Sequence, residues 1–329
     1  MASPQNSHGA TRLLAKILIL AILGGLLKSP ALAWGGASGA PPEAPPTTTG
    51  PIITDTAVPV SPGSLQIQPF WFLGFTMGTF SNNWQARGAG GDFISLTLPL
   101  QFSYGLARNL EVKLNLPYVH NWAGNVDRPG PGGERSADFG GLGDINLYAK
   151  YQLLAETITR PTVTGLLGVT FPAGRHVRLN PGNLGTDSLG GGAYGLTLGA
   201  NLSKWVKPVY LYANLWYSLA LQTRQHPEHQ RLTPIVTSLH EQDRINFNLA
   251  AEWVLTPRWV LLLEFYSIWE VGPLLARAHE PPSVLMGILP GVEFIFSPRW
   301  SCALGAALDL AGKNTEFKYT PVFTVLVSF

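Results

Sequence analysis

Strict two-residue alternation is the feature that most narrows what this chain can fold into. From about residue 65 onward, runs of alternating apolar and polar side chains follow one another, each closed by turn chemistry. A strand's side chains repeat every two residues, so each run presents one apolar face and one polar face. The last run, Lys318–Phe329, shows it plainly: Phe317, Tyr319, Phe323, Val325, Val327 and Phe329 share one parity, and Lys318, Thr320, Thr324 and Ser328 take most of the other. Exposed at the edge of a soluble sheet, such a strand would template aggregation. It is tolerated where it closes a barrel whose outer face meets lipid.

The runs fall at about 65–79, 92–104, 110–122, 142–154, 161–171, 190–203, 208–221, 243–255, 259–272, 284–296, 300–311 and 317–329. That is about twelve strands, an even number as in bacterial single-chain barrels. The connections alternate too. Long ones at 80–91, 123–141, 172–189, 222–242 and 273–283, with a shorter one at 312–316, take turns with short ones such as 105–109, 204–207, 256–258 and 297–299. The expected fold is therefore all-β: a closed antiparallel transmembrane β-barrel over 64–329, with long outer loops and short periplasmic turns. Two turns nearly repeat, Thr256-Pro-Arg-Trp259 and Ser297-Pro-Arg-Trp300; with Trp205 these tryptophans are expected in a periplasmic aromatic girdle.

The other end reads as a secretory signal peptide over 1–33: Arg12 and Lys16, then apolar Ile17 to Leu27, then Ala31-Leu-Ala33 as a cleavage site. Without residues 1–33, 22 basic residues become 19 against 20 acidic ones. The basic pI thus belongs largely to the leader and is no argument for nucleic acid as a partner. Residues 34–63, rich in Pro, Gly, Ala, Ser and Thr, read as a periplasmic tail, a spacer with no binding motif. The expected location is the bacterial outer membrane with both termini periplasmic. Charged residues make up only 13%, well under the roughly 25% of soluble domains. Cys302 is the single cysteine, so disulfides do not staple the fold.

Parity assigns the inner wall. Glu111 and Lys113 oppose outward Leu110 and Val112; Asp144 and Lys150 oppose Ile145 and Tyr151; Arg244 and Glu252 oppose Ile245 and Trp253. Glu264 and Tyr266 follow on the next run, and Tyr210, Tyr212 and Trp216 share one inward parity, with Tyr148 beside them. An Arg or Lys facing lipid at mid-bilayer costs roughly 2–4 kcal/mol, which forces the polar parity inward. These eleven lumen-lining candidates (Glu111 through Tyr266, Tyr148 aside) admit two readings. The charges pair and fill the interior, or they line a polar path that tunes permeation. The loop arginines Arg87, Arg128, Arg135, Arg175, Arg178, Arg224, Arg231 and Arg277 could meet phosphates of lipopolysaccharide, since a guanidinium grips phosphate bidentately.

The sequence offers no metal or nucleotide motif, and no cofactor is expected. His226-Pro-Glu-His229 sits in an expected loop, and the glycines at 185–195 precede a strand rather than opening a helix. His120-Asn121 is the nearest approach to a lipase-like triad and lacks an adjacent Ser, so enzymatic activity is not expected.

Specific segments resemble a known family. Gly141-Leu-Gly-Asp-Ile-Asn-Leu-Tyr-Ala-Lys-Tyr-Gln-Leu-Leu154, Tyr104-Gly-Leu-Ala-Arg-Asn-Leu-Glu-Val-Lys-Leu-Asn-Leu-Pro-Tyr118 and Leu167-Gly-Val-Thr-Phe-Pro-Ala-Gly174 are similar to stretches of the transporter-like family named for the meta-pathway of phenol degradation. Gly185-Thr-Asp-Ser-Leu189 and Gly195–Lys204 continue the likeness in order. The resemblance implies uptake of aromatic or hydrophobic compounds and makes Asp144 and Lys150 a luminal pair. Phe171-Pro-Ala-Gly174 departs from the family's usual Pro-Thr-Gly. The expectation is a passive outer-membrane channel for a small solute, assembled through its Phe329 strand by the barrel-assembly machinery. The competing expectation is a closed structural barrel whose loops at 123–141 and 222–242 bind surface partners.

Overall fold

A computed structural model describes residues 48–126, 135–176, 178–221, 242–272 and 281–329. Its strands are β1 Leu65–Phe80, β2 Ala86–Ala107, β3 Leu110–Val126, β4 Arg135–Leu142, β5 Ile145–Leu154, β6 Thr162–Phe171 and β7 Tyr194–Val206. They continue with β8 Val209–Leu221, β9 Asp243–Val254, β10 Trp259–Val271, β11 Ser283–Ser297, β12 Trp300–Lys313 and β13 Thr315–Ser328. Every neighbour is antiparallel, and β1 pairs with both β2 and β13, so the sheet closes on itself. Phe329 and Leu65 seal the seam with reciprocal backbone hydrogen bonds of 2.8 and 3.3 Å.

Twelve barrel positions hold thirteen strands because the expected strand 142–154 is broken. The break falls at Gly143-Asp144, where the Gly143 N–H turns to the Pro117 carbonyl at 2.8 Å. β3 therefore pairs with β5 through Asn115 and with β4 from Tyr118 onward. Pro117 lies opposite Pro99 in the β2–β3 register, and neither can donate to a ladder.

Several expected loops turn out shorter. Residues 86–91 belong to β2, and the connection expected at 123–141 is strand at both ends, its 127–134 portion lying outside the described residues. Arg87 and Arg135 are thus strand residues; Arg128, Arg224, Arg231, Arg277, the 222–241 connection and His226–His229 lie outside the described residues. Gly88, Gly90 and Gly91 lie within β2 and Gly140 and Gly141 within β4, because a ladder uses backbone alone.

The two Pro-Arg-Trp turns are built alike. Thr256 Oγ1 accepts the N–H groups of Arg258 and Trp259 at 3.2 and 3.0 Å, and Ser297 Oγ accepts that of Arg299 at 3.3 Å. Pro sets φ and the hydroxyl holds the turn. Trp259 and Trp300 stand exposed on the outer face. Trp205 does not join them. It packs inward against Tyr210, ring centroids 5.8 Å apart, because it shares parity with buried Asn201 and Ser203.

Candidate functional site: the inner face and its arch

The residues read as a spacer are the largest correction. Residues 49–60 run inside the barrel as an arch, entering beside the β2–β3 turn, where the Gly63 N–H donates to the Gly105 carbonyl at 2.8 Å. The Val60 N–H then donates to Glu111 Oε2 at 2.9 Å and the Ala57 N–H to Ser203 Oγ at 2.7 Å. Thr164 Oγ1 donates to the Ala57 carbonyl, and Lys150 Nζ reaches the Thr56 carbonyl at 3.0 Å.

Near the top of the arch, Asn214 reads one peptide unit as a strand would. Its Oδ1 accepts the Asp55 N–H at 2.7 Å while its Nδ2 donates to the Asp55 carbonyl at 2.8 Å. The Asp55 carboxylate sits between Lys113 Nζ at 2.7 Å, Lys150 Nζ at 3.5 Å and Asn201 Nδ2 at 3.2 Å. Burial alone would raise its pKa; the two ammonium groups outweigh that and hold it below the ordinary carboxylate value.

Beyond Asp55 the arch meets the opposite wall. Glu264 gathers three successive N–H groups: Ile52 at 2.6 Å on Oε1, Ile53 at 3.1 Å and Thr54 at 2.6 Å on Oε2. Glu293 accepts both the N–H and the hydroxyl of Thr49, whose Oγ1 also lies 2.7 Å from Ser301 Oγ. Ile52 joins a buried cluster of Phe70, Leu262, Tyr266, Leu289, Ala303, Ala307 and Val322, with Ile53 and Phe72 packed against it.

The inner wall thus has two halves. Over β3 and β5–β8 it is polar: Glu111, Lys150, Thr164, Asn201, Ser203 and Asn214 are all buried. Over β1 and β10–β13 it is largely apolar, with Glu264 and Glu293 set into it.

Among the sequence-derived candidates, Glu111, Lys113, Lys150 and Glu264 all touch the arch. Lys150 Nζ lies 3.2 Å from Glu111 and does not pair with Asp144. Asp144 faces the 172–193 connection, accepting the Gly174 N–H at 2.9 Å and the Gly191 N–H at 2.7 Å. An added Cβ at Gly190 would collide with that carboxylate, which gives this glycine its role. Glu252 accepts the Tyr212 hydroxyl at 2.7 Å beside Thr48, next to the first arch residue, whereas Arg244 pairs with Glu270 at 2.9 Å, away from the arch. Tyr210 stacks on Tyr212, centroids 4.7 Å apart.

Three inward aromatics lie over glycines of the neighbouring strand: Tyr148 over Gly168, Trp216 over Gly199 and Tyr266 over Gly287. A ring spread over a bare backbone is wall packing, the device that compensates a strand glycine. His120 and Asn121 part to opposite faces. His120 stacks on exposed Trp122 at 4.2 Å and lies 3.3 Å from Asp138, while Asn121 meets Ser95 and the Thr186 carbonyl.

Comparison with known proteins now adds a family. Residues 73–323 match the model described as Putative MetA-pathway of phenol degradation. The chain belongs to that family. Among solved structures, an outer membrane channel from Pseudomonas putida F1 is similar at TM-score 0.60 and 13% identity, covering 82% of this chain and 97% of that one. The toluene transporter TodX of Pseudomonas putida aligns over 86% of this chain and 95% of its own, at 10% identity and TM-score 0.39. The translocator domain of the autotransporter NalP from Neisseria meningitidis covers 99% and 100%, at 12% identity and TM-score 0.44. At these identities the first likeness shows the fold, and the other two carry no further argument. No curated protein matches.

Proposed function

We propose that this protein is a passive outer-membrane channel for a small hydrophobic or aromatic solute, closed at rest by its own arch. The observation that supports this most is the two-sided inner wall. Polar groups stand on one side and an apolar surface on the other, both occupied by a segment that is not part of the sheet. Were the interior merely filler, side chains from the strands could fill it, as in narrow barrels.

In this reading the 1–33 leader is removed and the short-turn end, with the arch's point of entry, faces the periplasm. Exposed tryptophans on the outer face meet lipid interfaces, Arg175 and Arg178 face lipopolysaccharide, and the Phe329 strand is recognised during assembly. Glu111, Lys113, Lys150 and Glu264 line the path that the arch occupies; Asp144, Arg244, Glu252, Tyr210, Tyr212, Trp216 and Tyr266 shape its rims and walls. Flux is down-gradient.

The test is entry of a labelled aromatic solute into proteoliposomes. The full chain should pass little, and a variant lacking residues 48–60 should pass at least tenfold more. A second reading is favoured by the density of hydrogen bonds along the arch: a permanently filled structural barrel. It predicts no flux through the full chain at any solute concentration, its folding confirmed by heat-modifiable gel mobility.

A further inference from the structure

The arch is a model of what its site prefers to hold. At its polar pole, two ammonium groups and one carboxamide converge on a single carboxylate, Asp55. Lys150 is 2% exposed at its side chain and Lys113 13%, so this pole is enclosed. The local charges balance only with Asp55 present: Lys113 and Lys150 against Glu111 and Asp55. When the arch leaves, one positive charge remains uncompensated in an enclosed wall, an arrangement that strongly favours an incoming anion. Three residues away, at most about 10 Å along the chain, Ile52 and Ile53 cover an apolar surface of Phe70, Leu262 and Leu289. Between the poles, Glu264 accepts hydrogen-bond donors.

We propose that the place of the Asp55 carboxylate is a solute subsite, and that the solute is a small organic acid. Its carboxylate takes the Lys113–Lys150–Asn201 pole, its apolar body takes the wall under Ile52 and Ile53, and a hydroxyl on that body meets Glu264. Arch and solute compete for one site, so the solute that passes is also the one that holds the arch away. This assignment rests on the channel reading for its use in transport, but the anion pole stands on its own contacts.

The experiment uses the full chain with Asp55→Ala, which vacates the pole and removes the arch's charged contact with the wall, so that a solute can displace the arch. 4-Hydroxyphenylacetate and its neutral amide are titrated against thermal unfolding, and then against conductance in planar bilayers. The carboxylate is expected to raise the melting temperature of Asp55→Ala by several degrees, to act at concentrations at least tenfold below the amide, and to do little to the unmodified chain. Lys113→Gln added to Asp55→Ala should abolish the difference. Equal effects of acid and amide, or equal effects in the unmodified chain and Asp55→Ala, would overturn the proposal. The two readings fail separately. Carboxylate-selective stabilisation without conductance from any arch variant refutes the channel and keeps the subsite, whereas conductance without selectivity refutes the subsite and keeps the channel.

Discussion

The two halves of the inner wall hold the same segment by different physics. On the β3 and β5–β8 side, each contact is directional and carried by one named group: Asn214 pairs with a single peptide unit, and Lys150 bridges Asp55, Glu111 and the Thr56 carbonyl. On the β1 and β10–β13 side the carboxylates of Glu264 and Glu293 add directional contacts, but they are set in an area of rings and branched chains against which Ile52 and Ile53 lie. A directional grip sets register, because moving the arch by one residue would strand every donor. An apolar grip tolerates sliding and exchange, because dispersion and burial are non-directional. The polar half therefore holds the arch by direction alone, and the other half adds an apolar adhesion that another apolar body could replace.

That contrast can be broken by substitution. The largest effect is expected from Lys150→Ala, which leaves Glu111 and Asp55 enclosed beside one remaining ammonium group. It should cost about 3–5 kcal/mol, seen as faster amide exchange of Ile52–Ala57 and a lower unfolding midpoint. Leu289→Ala, fully buried on the apolar side, should cost about 2–5 kcal/mol in the unfolding midpoint. Yet it should leave the exchange of Asp55 and Ala57 nearly unchanged, since their partners lie on the other half. Thr164→Ala removes the hydroxyl that meets the Ala57 carbonyl and should cost about 1–3 kcal/mol, confined to the arch's exchange rates. Arg244→Ala, whose pair with Glu270 is part-exposed and touches no arch residue, should shift stability by at most about 1 kcal/mol. If Leu289→Ala loosened Asp55 as much as Lys150→Ala does, the division of labour would be wrong.

The wall was legible in the sequence because its rules are repetitive. Period-two alternation placed Glu111, Lys113, Lys150 and Glu264 on one face, and the Pro-Arg-Trp turns marked the short end. The break at Gly143-Asp144 was not legible, since a ladder that switches partners leaves no period. The arch was missed for a more general reason. Its segment is held chiefly by backbone N–H and C=O groups, which every sequence possesses, with side-chain polar contacts to the wall from Asp55 and Thr49. Composition alone made Thr48–Pro62 look like a spacer. Two signals were present: a β-branched run, Ile52-Ile53-Thr54, ending on Asp55 within a Pro-rich stretch, and inward acids outnumbering inward bases.

Whether residues 49–60 close the barrel decides between a gated channel and a filled wall. The direct measurement is single-channel recording of the protein lacking residues 48–60, before and after adding a synthetic peptide of those residues. Steady conductance steps that the peptide silences are expected, with an Asp55→Asn peptide at least tenfold less effective. Steps of the same size in the full chain and the deletion, untouched by either peptide, would contradict closure by the arch.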